Sequence, residues 1–142
     1  MRIGLAGVGH LGKIHLKCLL NTEFELSGFY DPDENIRKDV QSAFGVHSFN
    51  SFDELLDSVD AVDIVSPTIF HHEIAKQAIC KGKHVFIEKP LTESLIQAEE
   101  LTQLAFEFNK IVQVGHVERY NPAITSLKDI DINPGFIEAH RL

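Results

Sequence analysis

Two short stretches carry residue types whose spacing can do chemistry. The first is Gly7-Val8-Gly9-His10-Leu11-Gly12, a G-x-G-x-x-G pattern, with Asp31 nineteen residues after its last glycine. In a strand–turn–helix setting Gly7 permits the tight turn and Gly9 lets backbone approach a pyrophosphate. Gly12 lets the helix pack closely on a sheet. A helix opening at His10 offers unpaired N–H groups and a partial positive charge to phosphate oxygens, so all six residues, His10 and Leu11 included, are expected along a dinucleotide. Asp31 can accept hydrogen bonds from both adenosine ribose hydroxyls and would repel a 2′-phosphate. Pro32, Asp33 and Glu34 supply no basic clamp, and Arg37 and Lys38 read as solvated helix charges. The cofactor expected is NAD, with NADP disfavoured. Glycines that serve only a tight strand–helix turn are the plainer alternative.

The second stretch is Glu88-Lys89-Pro90, which follows the apolar run His84-Val85-Phe86-Ile87. Ligands of open α/β sheets bind beyond the carboxyl ends of the strands. Lys89 is therefore expected in the cofactor crevice, where an ammonium can hydrogen-bond a substrate hydroxyl, stabilise alkoxide character and relay a proton. Glu88 can hold that lysine or contact the cofactor. Local sequence leaves open a surface Glu–Lys pair at a turn.

The elements that must position these residues alternate along the chain. Strands are expected at 2–6, 24–30, 46–49, 61–65, 84–87 and 111–114. Helices are expected at 10–20, with Leu11, Ile14 and Cys18 on one side, and at 32–44, closed by Gly45. Others follow at 51–59, capped by Ser51, and at 70–81, with Gly82 in the left-handed position after its end. The longest, 93–109, is capped by Thr92 and carries Leu101, Leu104, Ala105 and Phe108 at helical spacing; the last, 122–130, starts on Pro122. Strands separated by helices imply right-handed crossovers. The fold class is thus α/β, a doubly wound Rossmann sheet, mostly parallel, with helices on both faces. Residues 136–142 alternate apolar and polar like a new strand without a neighbour. The division expected is 1–134 as a dinucleotide-binding domain and 135–142 as the first strand of a second, α/β substrate domain that is largely absent.

Composition narrows the classes. The chain has 142 residues, 21 acidic against 13 basic, for a net charge of −8, with 44% apolar residues. That is ordinary globular make-up for one domain. An acidic balance argues against nucleic acid, which needs a basic footprint. No apolar run approaches the ~18 residues of a membrane span, and the start is unlike a signal peptide, so a cytoplasmic protein is expected. Cys18 and Cys80 read as buried, reduced and structural. No metal site is expected, because the adjacent His71 and His72 point about 100° apart on a helix. His15 reads as a helix-surface residue, and His116 as a substrate-side or a structural histidine. No G-x-S-x-G elbow is present for hydrolase chemistry.

The glycine motif, Ser66-Pro67-Thr68 with His71, Glu88-Lys89-Pro90 and Arg119-Tyr120-Asn121-Pro122 together resemble the Gfo/Idh/MocA oxidoreductase family. The segment from Gly115 to Pro122 is most similar to members acting on UDP-N-acetylglucosamine-type sugars. The resemblance implies that Lys89 stands beside the nicotinamide and the reacting sugar carbon. It implies that Ser66, Pro67, Thr68 and His71 line the cofactor, with Glu88 near the nicotinamide ribose. Arg119 and Asn121 match the segment leaving the nucleotide domain near the active site. Thr68 departs from the asparagine of many relatives but keeps a hydrogen-bonding side chain. Family members carry a second domain with the subunit interface and a catalytic histidine, which is not found here.

The function expected is the cofactor-binding part of an NAD-dependent oxidoreductase moving hydride between a sugar or nucleotide-sugar hydroxyl and nicotinamide, a homo-oligomer when full length. This chain alone is expected to bind without turnover. A non-catalytic dinucleotide-binding or redox-sensing module is the alternative. A CoA-binding domain fits poorly with a ribose-facing Asp31.

Overall fold

The computed structural model describes residues 1–127, 130, 133–136, 138 and 140. Five parallel strands form one sheet: β1 (Arg2–Ala6), β2 (Glu25–Tyr30), β3 (Ala61–Ile64), β4 (His84–Ile87) and β5 (Val112–Val114), in the order β2-β1-β3-β4-β5. The chain winds one way from β1 to β2 and the other way from β3 to β5. The switch point therefore lies between the carboxyl ends of β1 and β3.

Helices α1 (His10–Leu19), α2 (Glu34–Phe44), α3 (Phe52–Ser58), α4 (His71–Cys80), α5 (Leu95–Glu107) and α6 (Pro122–Thr125) complete the described elements, with 3-10 turns at Thr68–Phe70 and Val117–Tyr120. Side chains alternate across the strands, so each strand feeds two cores. One face buries Val62, Ile64, Val85 and Ile87 against Leu55, Ala75, Ile79 and Leu101 from α3, α4 and α5. The other buries Leu5 and Phe29 against Val8, Leu16 and Val40 under α1 and α2. That second face is only half covered. Beyond α1 an open apolar cleft of about 540 Å³ runs over Asp63, Phe86 and Gln113.

Local chemistry explains the helix boundaries. Asp33 caps α2 by accepting from the N–H groups of Asn35 and Ile36, and Ser51 caps α3 by accepting from Glu54. Gly45 and Gly82 take left-handed φ values of 68° and 73° after α2 and α4, as expected. The cap of the longest helix is Ser94, not Thr92; the Thr92 hydroxyl instead donates to the Ser94 carbonyl, and α5 begins two residues later than expected.

Three further expectations are corrected. The strand expected at 46–49 is a single parallel bridge, Phe29 to Ser48, on the outer edge of β2. Gly28, at φ 152°, brings the backbone so close there that a Cβ would lie 2.5 Å from the His47 carbonyl oxygen. Cys18 and Cys80 are exposed rather than buried, though free as expected. Helix α1 turns Gly12 and Leu16 to the sheet, which leaves Leu11, Ile14 and Cys18 facing outward; α4 buries Ala75, Ala78 and Ile79 and ends at Cys80. The last helix is described only over Pro122–Thr125, with 128–129 outside the described residues. The strand expected at 136–142 falls largely outside them too, and the described Phe136, Glu138 and His140 are in no strand.

Candidate active site

Because all five strands are parallel, their carboxyl ends share one edge of the sheet. The chemistry-bearing segments line up along it: Asp31 after β2, the glycine loop after β1, Ser66 to Thr68 after β3, Glu88 to Pro90 after β4, and Gly115 to Asn121 after β5. Adjacent strands sit about 4.8 Å apart, so Asp31 and Lys89 are separated by roughly 14 Å along the edge.

The glycine loop is built for close approach. Gly7 has φ 92°, and a Cβ there would lie 2.9 Å from the Ser66 nitrogen, across the switch point. A Cβ on Gly12 would lie 2.1 Å from the Gly7 carbonyl oxygen, so α1 and the turn fit only without a side chain. A Cβ on Gly9 would meet nothing within 4 Å. Gly9 is also the N-cap of α1, and neither a side-chain cap nor a first-turn acid occupies that terminus. The helices α2, α3 and α5 all have side-chain caps. The open space over Gly9 and the free amide dipoles of α1 fit an anionic pyrophosphate.

Asp31 is 8% exposed. Its Oδ2 accepts the Val8 N–H at 2.9 Å and its Oδ1 the Asp33 N–H at 3.0 Å. The carboxylate thus ties the glycine loop to the end of β2, while its remaining lone pairs fit ribose hydroxyls. Val8 itself is a fully buried core side chain, whereas His10 and Leu11 are exposed at the helix opening. The Arg37 guanidinium, expected to be solvated, donates to the Asp31 carbonyl at 2.6 Å and stacks over Tyr30. It therefore braces the turn beside Asp31, through backbone rather than the carboxylate.

Lys89 is exposed and, with Gly115, His116, Val117, Glu118 and Arg119, lines a cleft of about 310 Å³. Among the described residues its ammonium has no hydrogen-bond or ion-pair partner. The Lys89–Pro90 bond is cis. His71 is 1% exposed, with Nδ1 2.9 Å from the Pro90 carbonyl and Nε2 2.8 Å from the Ser66 carbonyl. Its buried ring bridges the two edge loops through these carbonyls. Pro67 is exposed and Thr68 half-buried, and the buried Ser66 hydroxyl has no partner among the described residues. Asn121 caps α6 and donates to Glu118, while Arg119 points to the Lys89 cleft.

His15 is not a surface histidine: its Nδ1 lies 2.9 Å from Asp63 Oδ2 and its Nε2 3.4 Å from Glu88 Oε1. Hydrogen bonding to Asp63 holds the His15 imidazolium above its ordinary value, against the opposing effect of burial. Burial pushes the Asp63 carboxyl up, with His15 pulling the other way. The signal was present in Ala61-Val62-Asp63-Ile64-Val65, since a carboxylate inside a buried strand requires a partner. His15 lies three residues after Gly12, on the helix side that meets the sheet.

Fold, loop and edge define a dinucleotide-binding Rossmann domain of the oxidoreductase type. A family profile described as oxidoreductase family, NAD-binding Rossmann fold, matches residues 1–116, and the chain belongs to this family, Gfo/Idh/MocA. Along its whole length it is 37% identical to UDP-N-acetylglucosamine 3-dehydrogenase of Acidithiobacillus ferrooxidans, covering 45% of that protein. The solved structure of that enzyme superposes with a TM-score of 0.86 over 89% of this chain and 42% of its own, at 38% identity. The NAD(+)-dependent scyllo-inositol 2-dehydrogenase of Bacillus subtilis is 32% identical over 90% of this chain and 39% of the relative. GenD2 from gentamicin A biosynthesis, solved in complex with NAD, superposes with a TM-score of 0.83 at 29% identity, over 89% of this chain and 37% of its own. The chain thus spans less than half the length of the relatives it matches. Among the described residues no helix is long and apolar enough to cross a membrane.

Proposed function

We propose that this chain is the cofactor-binding part of an NAD-dependent dehydrogenase acting on a sugar or nucleotide-sugar hydroxyl. The observation that carries the reading is the order of groups along the carboxyl edge: ribose acceptor, open helix terminus, then lysine. Gly9 and the α1 terminus hold the pyrophosphate, and Asp31 holds the adenosine ribose. Bound nicotinamide supplies hydride-transfer chemistry. With its Nζ as the free amine, Lys89 takes the proton of the substrate hydroxyl as the carbon loses hydride, and as the ammonium returns it in the reverse direction. Ser66, Pro67, Thr68 and Glu88 flank the nicotinamide side, with His71 supporting the Ser66 and Pro90 loops. Arg119 and His116 wall the substrate side.

The sugar class is supported by the named activities of the relatives. Residues 1–134 act as the dinucleotide domain and 135–142 open the second. The whole protein is read as a cytoplasmic homo-oligomer, and the half-uncovered sheet face supports the association. Fluorescence titration with NADH and NADPH tests the cofactor assignment. NADH is expected to bind at least about tenfold more tightly, a difference of ~1.4 kcal/mol. Asp31→Ser should narrow the ratio, and equal affinities in the parent chain would remove Asp31 from the reading.

A further inference from the structure

The His15–Asp63–Glu88 group links two parts of the edge that are remote in sequence. His15 sits on α1, the helix that opens at the glycine loop, and Asp63 lies on β3 at 6% exposure. Glu88 closes β4, and its Oε2 accepts the backbone N–H of Lys89 at 3.1 Å. Its other oxygen, Oε1, faces His15 Nε2 and lies in a slot left open by Gly115, where a Cβ would approach it to 2.6 Å. The Phe86 ring packs edge-on against the imidazole at 6.1 Å and closes one side. Asp63 Oδ1 is buried without a partner among the described residues. Asp63 therefore depends on His15 alone for side-chain compensation, and that fixes the imidazole between the two carboxylates.

An ionised carboxylate only accepts, so the proton facing Asp63 is on Nδ1. Whether Nε2 also carries one decides how His15 meets Glu88. Protonated, it attracts Glu88 Oε1; neutral, it presents a lone pair to it. Glu88 in turn orients the backbone amide of Lys89. We propose that His15 is a positioning residue whose protonation sets the Glu88 carboxylate and, through it, the backbone of Lys89. That coupling stands on geometry; its value for turnover rests on the reading of Lys89 above.

The groups that face this chain of contacts are few among the described residues. Asp63, Glu88, Phe86 and Gly115 surround His15, and His84, Gln113 and Cys18 line the same cleft. On the Lys89 side stand His116, Glu118 and Arg119. His116 is a second histidine beside Lys89, and His71 touches Pro90, so both must be separated from His15.

Heteronuclear NMR on the full 142-residue chain reads the coupling without cofactor, in a His116→Gln background. The Lys89 amide shift is expected to follow the His15 imidazole with one shared midpoint, above the ordinary ~6.5. His15→Gln keeps a donor toward Asp63 but cannot titrate, and should abolish the Lys89 response while His71 remains in place. Asp63→Asn keeps His15 and should lower both midpoints together, which covers the case of a His15→Gln chain that does not fold. A Lys89 response unchanged in His15→Gln, or a Lys89 midpoint that stays put when that of His15 falls in Asp63→Asn, would overturn the proposal. NADH titration of the same samples keeps the two readings apart. Absent NADH binding with a shared midpoint removes the dinucleotide assignment and leaves the coupling standing.

Discussion

Over β1 and β2, Asp31 is buried and both its oxygens accept backbone N–H groups, while Gly7, Gly12 and Gly28 admit no side chain against backbone. Over β4 and β5, Lys89 is exposed, its cleft is walled by one stretch of chain from Gly115 to Arg119, and the sheet face below α1 is open. The first region is tied together by close backbone contacts around Gly7, Gly12 and Asp31, with Arg37 and the Ser66 backbone at its margins. The second presents Lys89, the proposed acid–base group, beside a cleft that only one segment walls. On the function proposed above, dinucleotide binding belongs to this first region, whereas turnover on a sugar needs a fuller enclosure than the described residues form around Lys89.

The comparison can be broken most severely at Lys89. In the whole protein, Lys89→Ala is expected to lower turnover by about 10²–10⁴-fold, the range for a positioned acid–base group. NADH affinity should stay within about twofold. Equal losses in turnover and NADH binding would make Lys89 a cofactor anchor. Next in size is Gly12→Ala. Its Cβ meets backbone, which cannot swing aside, so a loss of about 1–3 kcal/mol in urea unfolding is expected, together with weaker NADH binding. Unchanged stability would mean that the loop is looser than its contacts imply.

The smallest effect lies at the opposite edge of the sheet. Hydrogen bonds from the Arg2 side chain and backbone hold the exposed Asp60 at about 2. A carboxyl depressed on folding stabilises above its ordinary value, and that contribution is lost as pH falls through about 2. Arg2→Ala should therefore shift acid unfolding slightly to higher pH and leave NADH binding untouched, since exposed pairs contribute little. A change in NADH affinity would show that the two edges are not independent.

What could be read before the structure follows the same division. The strand–glycine–helix–strand–aspartate unit depends on local signals, a tight turn and hydrophobic runs, and residues 2–31 fold as those signals require. The side of α1 that meets the sheet does not. Leu11, Ile14 and Cys18 form the more apolar stripe, yet the close contact at Gly12 turns Leu16 and His15 inward. Close backbone approach outranks hydrophobicity there, and with it went the buried reading of Cys18 and the surface reading of His15. The strand expected at 46–49 shrinks to a bridge at Ser48 for a related reason. Its residues pair with β2 through only the bonds around Phe29, an outcome of tertiary fit at Gly28 and not of β propensity.

The central claim, a pyrophosphate cradle over Gly9, is tested most directly by Gly9→Val. The space there is open within the protein, so thermal unfolding should stay within about 2 °C of the parent, while NADH affinity should fall at least about tenfold. A folded Gly9→Val chain that binds NADH as tightly as the parent would contradict the account.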